Sequence, residues 1–133
     1  MKGHARNLMS ERVTAVAPET PVAAVAHTLV SEEIGGVPVV KQGRVVGFVS
    51  DGDVMRALLS DPTGATPAGT AMTSQVVTID EFAPTSEVIE TLREHHIHHL
   101  PVVRAGRLVG IIAPKDVLRY LVDHGVPRLP DAG

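Results

Sequence analysis

The chain has no cysteine. That absence removes disulfides, thiolate nucleophiles and cysteine-ligated zinc in one step. It also has no tryptophan, and its aromatic rings are limited to Phe48, Phe82 and Tyr120. A platform of stacked aromatics for single-stranded nucleic acid is therefore missing, and a bound ring is expected to lie between aliphatic groups. There is no basic block: the net charge over 133 residues is −3, which argues against a nucleic-acid groove. No apolar run approaches the ~20 residues that span a bilayer, and the opening Met1-Lys-Gly-His-Ala-Arg-Asn has no apolar core of a signal peptide. The expectation is a cytoplasmic protein with neither nucleic-acid nor membrane partners.

What the chain does have is an internal copy of itself. Shifted by 63 positions, Ile34-Gly-Gly-Val-Pro-Val-Val falls on Ile97-His-His-Leu-Pro-Val-Val. Gly47-Phe-Val-Ser-Asp-Gly-Asp likewise falls on Gly110-Ile-Ile-Ala-Pro-Lys-Asp. The register holds outside these stretches, with Met9 on Met72, Pro21 on Pro84, Leu29 on Leu92 and Arg56 on Arg119. Each copy is too small to bury a sufficient core alone, so the two are expected to pack against each other and leave a pseudo-symmetric cleft.

The unit reads as strand, helix, strand, strand, helix. Val13–Val16 is a β-branched run, and Thr20-Pro21 predicts an N-cap followed by an N1 proline. Val22, Val25, Ala26, Leu29 and Val30 recur at helical spacing over Pro21–Glu33, with Gly35-Gly36 as the stop. Val37-Pro-Val-Val and Arg44–Ser50 are strands joined at Lys41-Gln-Gly43, and Asp51–Leu59 is a helix. The second copy gives Val76–Ile79, Thr85–His96, Leu100–Val103, Arg107–Ala113 and Pro114–Val122. The fold class is α/β (α+β): two β-α-β-β-α repeats over residues 5–59 and 72–122, joined by a Pro/Gly linker over 60–71 that ends in a short helical turn. Residues 123–133 read as an irregular tail.

These two motifs, present in both copies, resemble the cystathionine-β-synthase (CBS) domain family, and the pair resembles the tandem CBS (Bateman) module. The resemblance spans roughly residues 5–122 and looks like a stand-alone pair. It implies clefts between the repeats that take adenosine-containing ligands, and a homodimer formed through the helices.

In the first copy the family's nucleotide motif is complete as Gly47, Ser50 and Asp53. Set where a strand passes into a helix, it offers free backbone N–H groups and a positive helix end. Asp53 can accept from both ribose hydroxyls, and Ser50 can donate to a ligand oxygen. The competing reading is that Asp51 and Asp53 only cap the helix. The resemblance brings Ser50, Asp51 and Asp53 into one cleft with Ile97, His98, His99 and Lys115, and places Thr66 and Ala71 against the base. Histidines and lysine stand where the first copy has Gly35, Gly36 and Gly52, so cations would meet the phosphates. The opposite cleft, with Asp116 but Ala113 in place of the hydroxyl, and with Gly35, Gly36, Val37 and Pro38 facing it, is expected to be weaker.

The run His95-His-Ile-His-His99 invites a metal reading, but it crosses a helix end into a strand, so its side chains diverge; no metal, resident cofactor or catalytic residue is assigned. Arg44 and Arg107 are expected in solvent or near a phosphate. The function expected is regulation or energy sensing by AMP, ADP or ATP, read by an unidentified effector protein. The alternatives are a ligand-free dimerisation or interaction module, an S-adenosylmethionine binder, and, least supported, an enzyme.

Overall fold

The computed structural model describes residues 2–130; Met1 and the last three residues of the predicted tail lie outside the described residues. Its elements in chain order are α1 (Ala5–Leu8), α2 (Val22–Glu32), β1 (Gly36–Lys41), β2 (Arg44–Ser50), α3 (Asp51–Ser60), α4 (Ala68–Ala71), β3 (Ile79–Asp80), α5 (Thr85–His95), β4 (Leu100–Arg104), β5 (Arg107–Ile112) and α6 (Pro114–Asp123). The strands form one sheet in the order β1-β2-β5-β4-β3.

The two hairpins follow from their turns. Gln42-Gly43 and Ala105-Gly106 each place two residues at positive φ, as a two-residue turn that matches the strand twist requires. Each hairpin carries a bulge at the equivalent place, after Val39 and after Val102. The hairpins meet tip to tip: Arg44 pairs with Arg107, and Leu108 N–H donates to Gly43 O at 3.0 Å. Arg44 and Arg107 are exposed, as expected, but each also reaches across to the other hairpin. Arg44 donates to Ala105 O at 3.4 Å and Arg107 to Gln42 O at 3.3 Å, so each guanidinium covers the turn of the other repeat.

The repeats also exchange their leading segments. α1 precedes the first repeat in sequence but packs on the second: Ala5 N–H donates to Ala83 O at 2.8 Å, and Ser10 exchanges backbone bonds with Ile111. α4, inside the predicted linker, packs on the first: Ala68 N–H donates to Thr20 O at 2.7 Å, and Thr73 exchanges bonds with Phe48. The two cores record the swap. Ala5 and Leu8 are buried with Ile79, Val88, Leu100, Val102 and Ile112, while Ala68 is buried with Val25, Leu29, Val37, Val39 and Val49.

Several expected details differ. The strand expected at Val13–Val16 is reduced to Val16, which bridges Val39 alone, and its counterpart lies at Ile79–Asp80 rather than Val76–Ile79. Pro21 and Pro84 are themselves the N-caps of α2 and α5, displacing Thr20 from that role. The helices stop not at Gly35-Gly36 but at Glu33 and His96, both left-handed at φ 54 and 50; Gly36 already opens β1. Residues 124–130 carry no helix or strand.

Ala105 sits at φ 50 without the side chain that eases this conformation. Ala105→Asn is expected to raise unfolding free energy by about 0.5–1 kcal/mol in chemical denaturation; a loss of stability would show that the turn is not of this type.

Candidate functional site

The end of β2 and the start of α3 build one wall of a cleft. Ser50 caps α3: its Oγ accepts from Asp53 N–H at 3.2 Å, and the Asp53 carboxylate accepts from Ser50 N–H at 2.9 Å. Asp53 also pairs with Arg56, whose Nη2 lies 2.6 Å from Oδ1. The remaining donors of this helix end are taken as well: Asp51 N–H by Gly35 O at 2.8 Å and Gly52 N–H by the Asp51 carboxylate at 2.7 Å. The expectation of free N–H groups is corrected: capping and a potential ribose contact fall on the same carboxylate. Asp116 repeats half the pattern, accepting from Ala113 N–H at 2.7 Å and from Arg119 at 3.2 Å; Ala113 has no hydroxyl to complete it.

The opposite wall comes from the second repeat. After α5, Ile97, His98 and His99 cross the mouth of the same cavity, about 580 Å³, that Ser50, Asp51 and Asp53 line. The structure thus gathers six of the nine residues expected in the stronger cleft. Thr66, Ala71 and Lys115 do not line this cavity. That part of the lining comes instead from Thr73, Gln75, Val76 and Val77, because Thr73 is bonded to Phe48 and the chain beyond it runs into the cleft. Gly35 lines this first cleft rather than the opposite one, while Gly36, Val37 and Pro38 are buried within β1.

Two features were missed. The cleft wall is partly aromatic: Phe48 stacks on His99 with centroids 5.2 Å apart and planes at 30°, so the lining offers more than the aliphatic groups expected. Arg56, which pairs with Asp53 from outside the cavity lining, was not singled out, although the Asp53/Arg56 and Asp116/Arg119 pairs share one spacing in both repeats, which was the available signal. Burial also works against the expectation of a cationic His99. Burial holds its pKa below the ordinary histidine value, the neighbouring His98 lowers it further, and Asp51 only partly opposes this.

Among the described residues no group of three or more His, Cys, Asp or Glu is placed to hold a metal ion. Elsewhere in the run, His95 Nδ1 lies 3.2 Å from Thr91 O, within its own helix.

The CBS domain model matches residues 5–60 and 68–123. The chain belongs to the CBS-domain family. It carries two such domains, and its mixed α+β fold is that of CBS-pair proteins. It is 30% identical over 132 residues to Hypoxic response protein 1 of Mycobacterium tuberculosis, covering 96% of this chain and 92% of the relative. The crystal structure of CBSX2 of Arabidopsis thaliana in complex with AMP superposes with a TM-score of 0.80 at 26% identity, covering 90% of this chain and 96% of that one. The crystal structure of Hypoxic Response Protein I with two coordinated zinc ions gives a TM-score of 0.80 at 27% identity, covering 90% and 99%. Among the described residues no helix of this CBS pair is long and apolar enough to cross a membrane.

The His99 shift has a sign. Its folded pKa lies below the unfolded value, so its contribution to stability is full above about 6.5 and is lost as pH falls through the lowered folded pKa. The thermal midpoint of the CBS pair is expected to fall on acidification from pH 7 towards 5, and His99→Phe, which keeps a ring on Phe48, is expected to flatten that slope. An unchanged slope in His99→Phe would contradict the assignment.

Proposed function

We propose that this CBS pair is a regulatory module that binds an adenine nucleotide in the first cleft and performs no chemistry. The observation that carries the reading is the single cavity of about 580 Å³ that joins Ser50 and Asp53 of one repeat to Ile97, His98 and His99 of the other. That volume lies in the ordinary range for small-molecule sites. Phe48, Val76, Val77 and Ile97 supply apolar and ring contact for a base, and Asp53 supplies a ribose acceptor. The crystallised AMP complex of CBSX2 supports the same ligand class.

The cations favour a monophosphate. Lys115 and Arg56 both lie off this cavity's lining, Arg56 is paired with Asp53, and burial disfavours a charged His99, which leaves His98 to meet a ligand anion. AMP therefore fits better than ADP or ATP. Among the described residues no histidine is hydrogen-bonded to Ser50, whose Oγ accepts from Asp53 N–H, so the serine has no general base at hand. The zinc of Hypoxic Response Protein I is not carried over, because among the described residues no group of three or more His, Cys, Asp or Glu is placed to hold one ion.

The second cleft is proposed to be weak. At the position equivalent to Val77 stands Thr14, whose hydroxyl donates to the Glu32 carboxylate at 2.5 Å, an anion poorly placed for a phosphate. The reading of a ligand-free dimerisation module draws on the exposed apolar face of Val30, Met55, Leu59, Leu118 and Val122. A homodimer through that face, an energy-sensing role and an effector protein that reads the ligand state remain part of the proposal, as does a cytoplasmic site of action.

Isothermal titration calorimetry of AMP, ADP, ATP and S-adenosylmethionine into nucleotide-stripped protein tests the reading. Micromolar binding of AMP at about one per chain is expected. Asp53→Ala is expected to weaken it ~10–100-fold, roughly 1.5–3 kcal/mol. Asp116→Ala, which removes the equivalent cap bond without touching the cleft, is expected to leave affinity within about 2-fold. Tighter binding of S-adenosylmethionine, or equal losses in the two variants, would overturn the assignment.

A further inference from the structure

A line of four cations crosses the sheet at the hairpin turns. Lys41 is opposite Arg44 in the first hairpin, Arg44 is opposite Arg107 at the seam between the repeats, and Arg107 is opposite Arg104 in the second hairpin. Directly opposed residues of neighbouring antiparallel strands start from one face of the sheet, so the four side chains form a row. The strand spacing makes that row ~14 Å long. All four residues are exposed. Lys41 matches Arg104 and Arg44 matches Arg107 under the internal repeat, so the row runs unbroken through the joint of the two halves.

Such a row works against the fold. Like charges directly opposite on a sheet repel, and three such pairs stand here in succession. Only one end is compensated: Arg104 donates to the buried Glu81 carboxylate, its Nη2 lying 3.0 Å from Oε1. In the first repeat Pro18 stands at the position of Glu81, so Lys41 lacks that partner. Among the described residues Lys41, Arg44 and Arg107 join no ion pair. The whole chain has a net charge of −3, so the row is a local excess of the opposite sign.

The two central guanidiniums are held in place. A Cβ on Gly43 would meet that of Arg107, and one on Gly106 would meet that of Arg44, so each lies over the opposite turn. Each gives a turn carbonyl one N–H out of the five in its rigid fork. Most donors are left for an incoming anion, and part of the ordering cost falls on folding rather than on binding. The occupant that the charges favour is a short acidic segment in extended form. Its alternate side chains lie ~7 Å apart on one side, so three acids at alternate positions match the length of the row, and carboxylates suit the arginine forks. A longer polyanion such as nucleic acid would run off the row onto a chain that is acidic elsewhere. We propose that this row docks an acidic, extended segment of a partner protein. Arg44 opens β2 and Ser50 closes it, so the row lies ~20 Å along the strand from the cleft corner, and the inference does not depend on the nucleotide reading.

Fluorescence anisotropy of a labelled peptide with a Glu-Thr-Glu-Thr-Glu core measures the docking. Saturable binding is expected, weakened about threefold or more as salt rises from ~50 to ~300 mM, and absent when the three acids are replaced by glutamine. The double variant Arg44→Gln, Arg107→Gln is expected to weaken binding ~10-fold. Lys41→Glu, which removes no side-chain hydrogen bond among the described residues, is expected to weaken it ~5-fold and serves if the double variant does not fold. Titration calorimetry is expected to give AMP affinities within about 2-fold of the unaltered chain in both variants. No saturable peptide binding, or equal binding by the unaltered chain and Lys41→Glu, would overturn the docking site. Tighter binding of a single-stranded oligonucleotide of equal charge would overturn the choice of occupant. Peptide binding by a chain that does not bind AMP would support the row and fail the nucleotide reading alone.

Discussion

The arrangement depends on two methionines lying where two side chains are missing. A Cβ on Gly47 would collide with the Met72 side chain, and a Cβ on Gly110 would collide with that of Met9. These glycines belong to the motif that reads as nucleotide-binding, yet their immediate work is to let the exchanged segments lie against β2 and β5. A side chain there must displace the methionine or the strand. With the seats intact, residues 5–10 are fixed to the second repeat and 68–73 to the first, and neither repeat completes its core without a segment that precedes the other one in sequence.

The cleft follows from that exchange. Thr73 is held antiparallel to Phe48, so the chain leaving α4 must pass over the end of β2. Gln75, Val76 and Val77 then face Ser50 and Asp53 across the space that Ile97, His98 and His99 close from the other side. The hairpin tips add a second tie, with Arg44 and Arg107 each bonded to the opposite turn.

Much of this was legible in the sequence because it depends on local rules. The 63-residue register located both hairpins, both long helices in each half and the Ser50-to-Asp53 corner. The exchange of α1 and α4 was not legible, since apolar spacing shows that a face is buried but not in which core. The strand at Val13–Val16 failed for a related reason: β-branched residues favour extended chain, but only Val16 finds a neighbour to pair with. Lys115 and His99 were both read as cations for the ligand. One lies outside the cleft lining and the other is held neutral-leaning by burial, facts of packing rather than of residue type. The Phe48–His99 stack joins residues from different repeats, so no local pattern announces it.

The central claim is that one cleft, and not its pseudo-symmetric twin, is the ligand site. Amide chemical-shift mapping by NMR during AMP titration tests it most directly. The account predicts saturable shifts centred on Phe48, Ser50, Val77, Ile97 and His99, with little change at the equivalent Ile111, Ala113, Thr14, Ile34 and Gly36. Shifts centred on the second set, or equal in both, would contradict the asymmetry from which the proposed function is built.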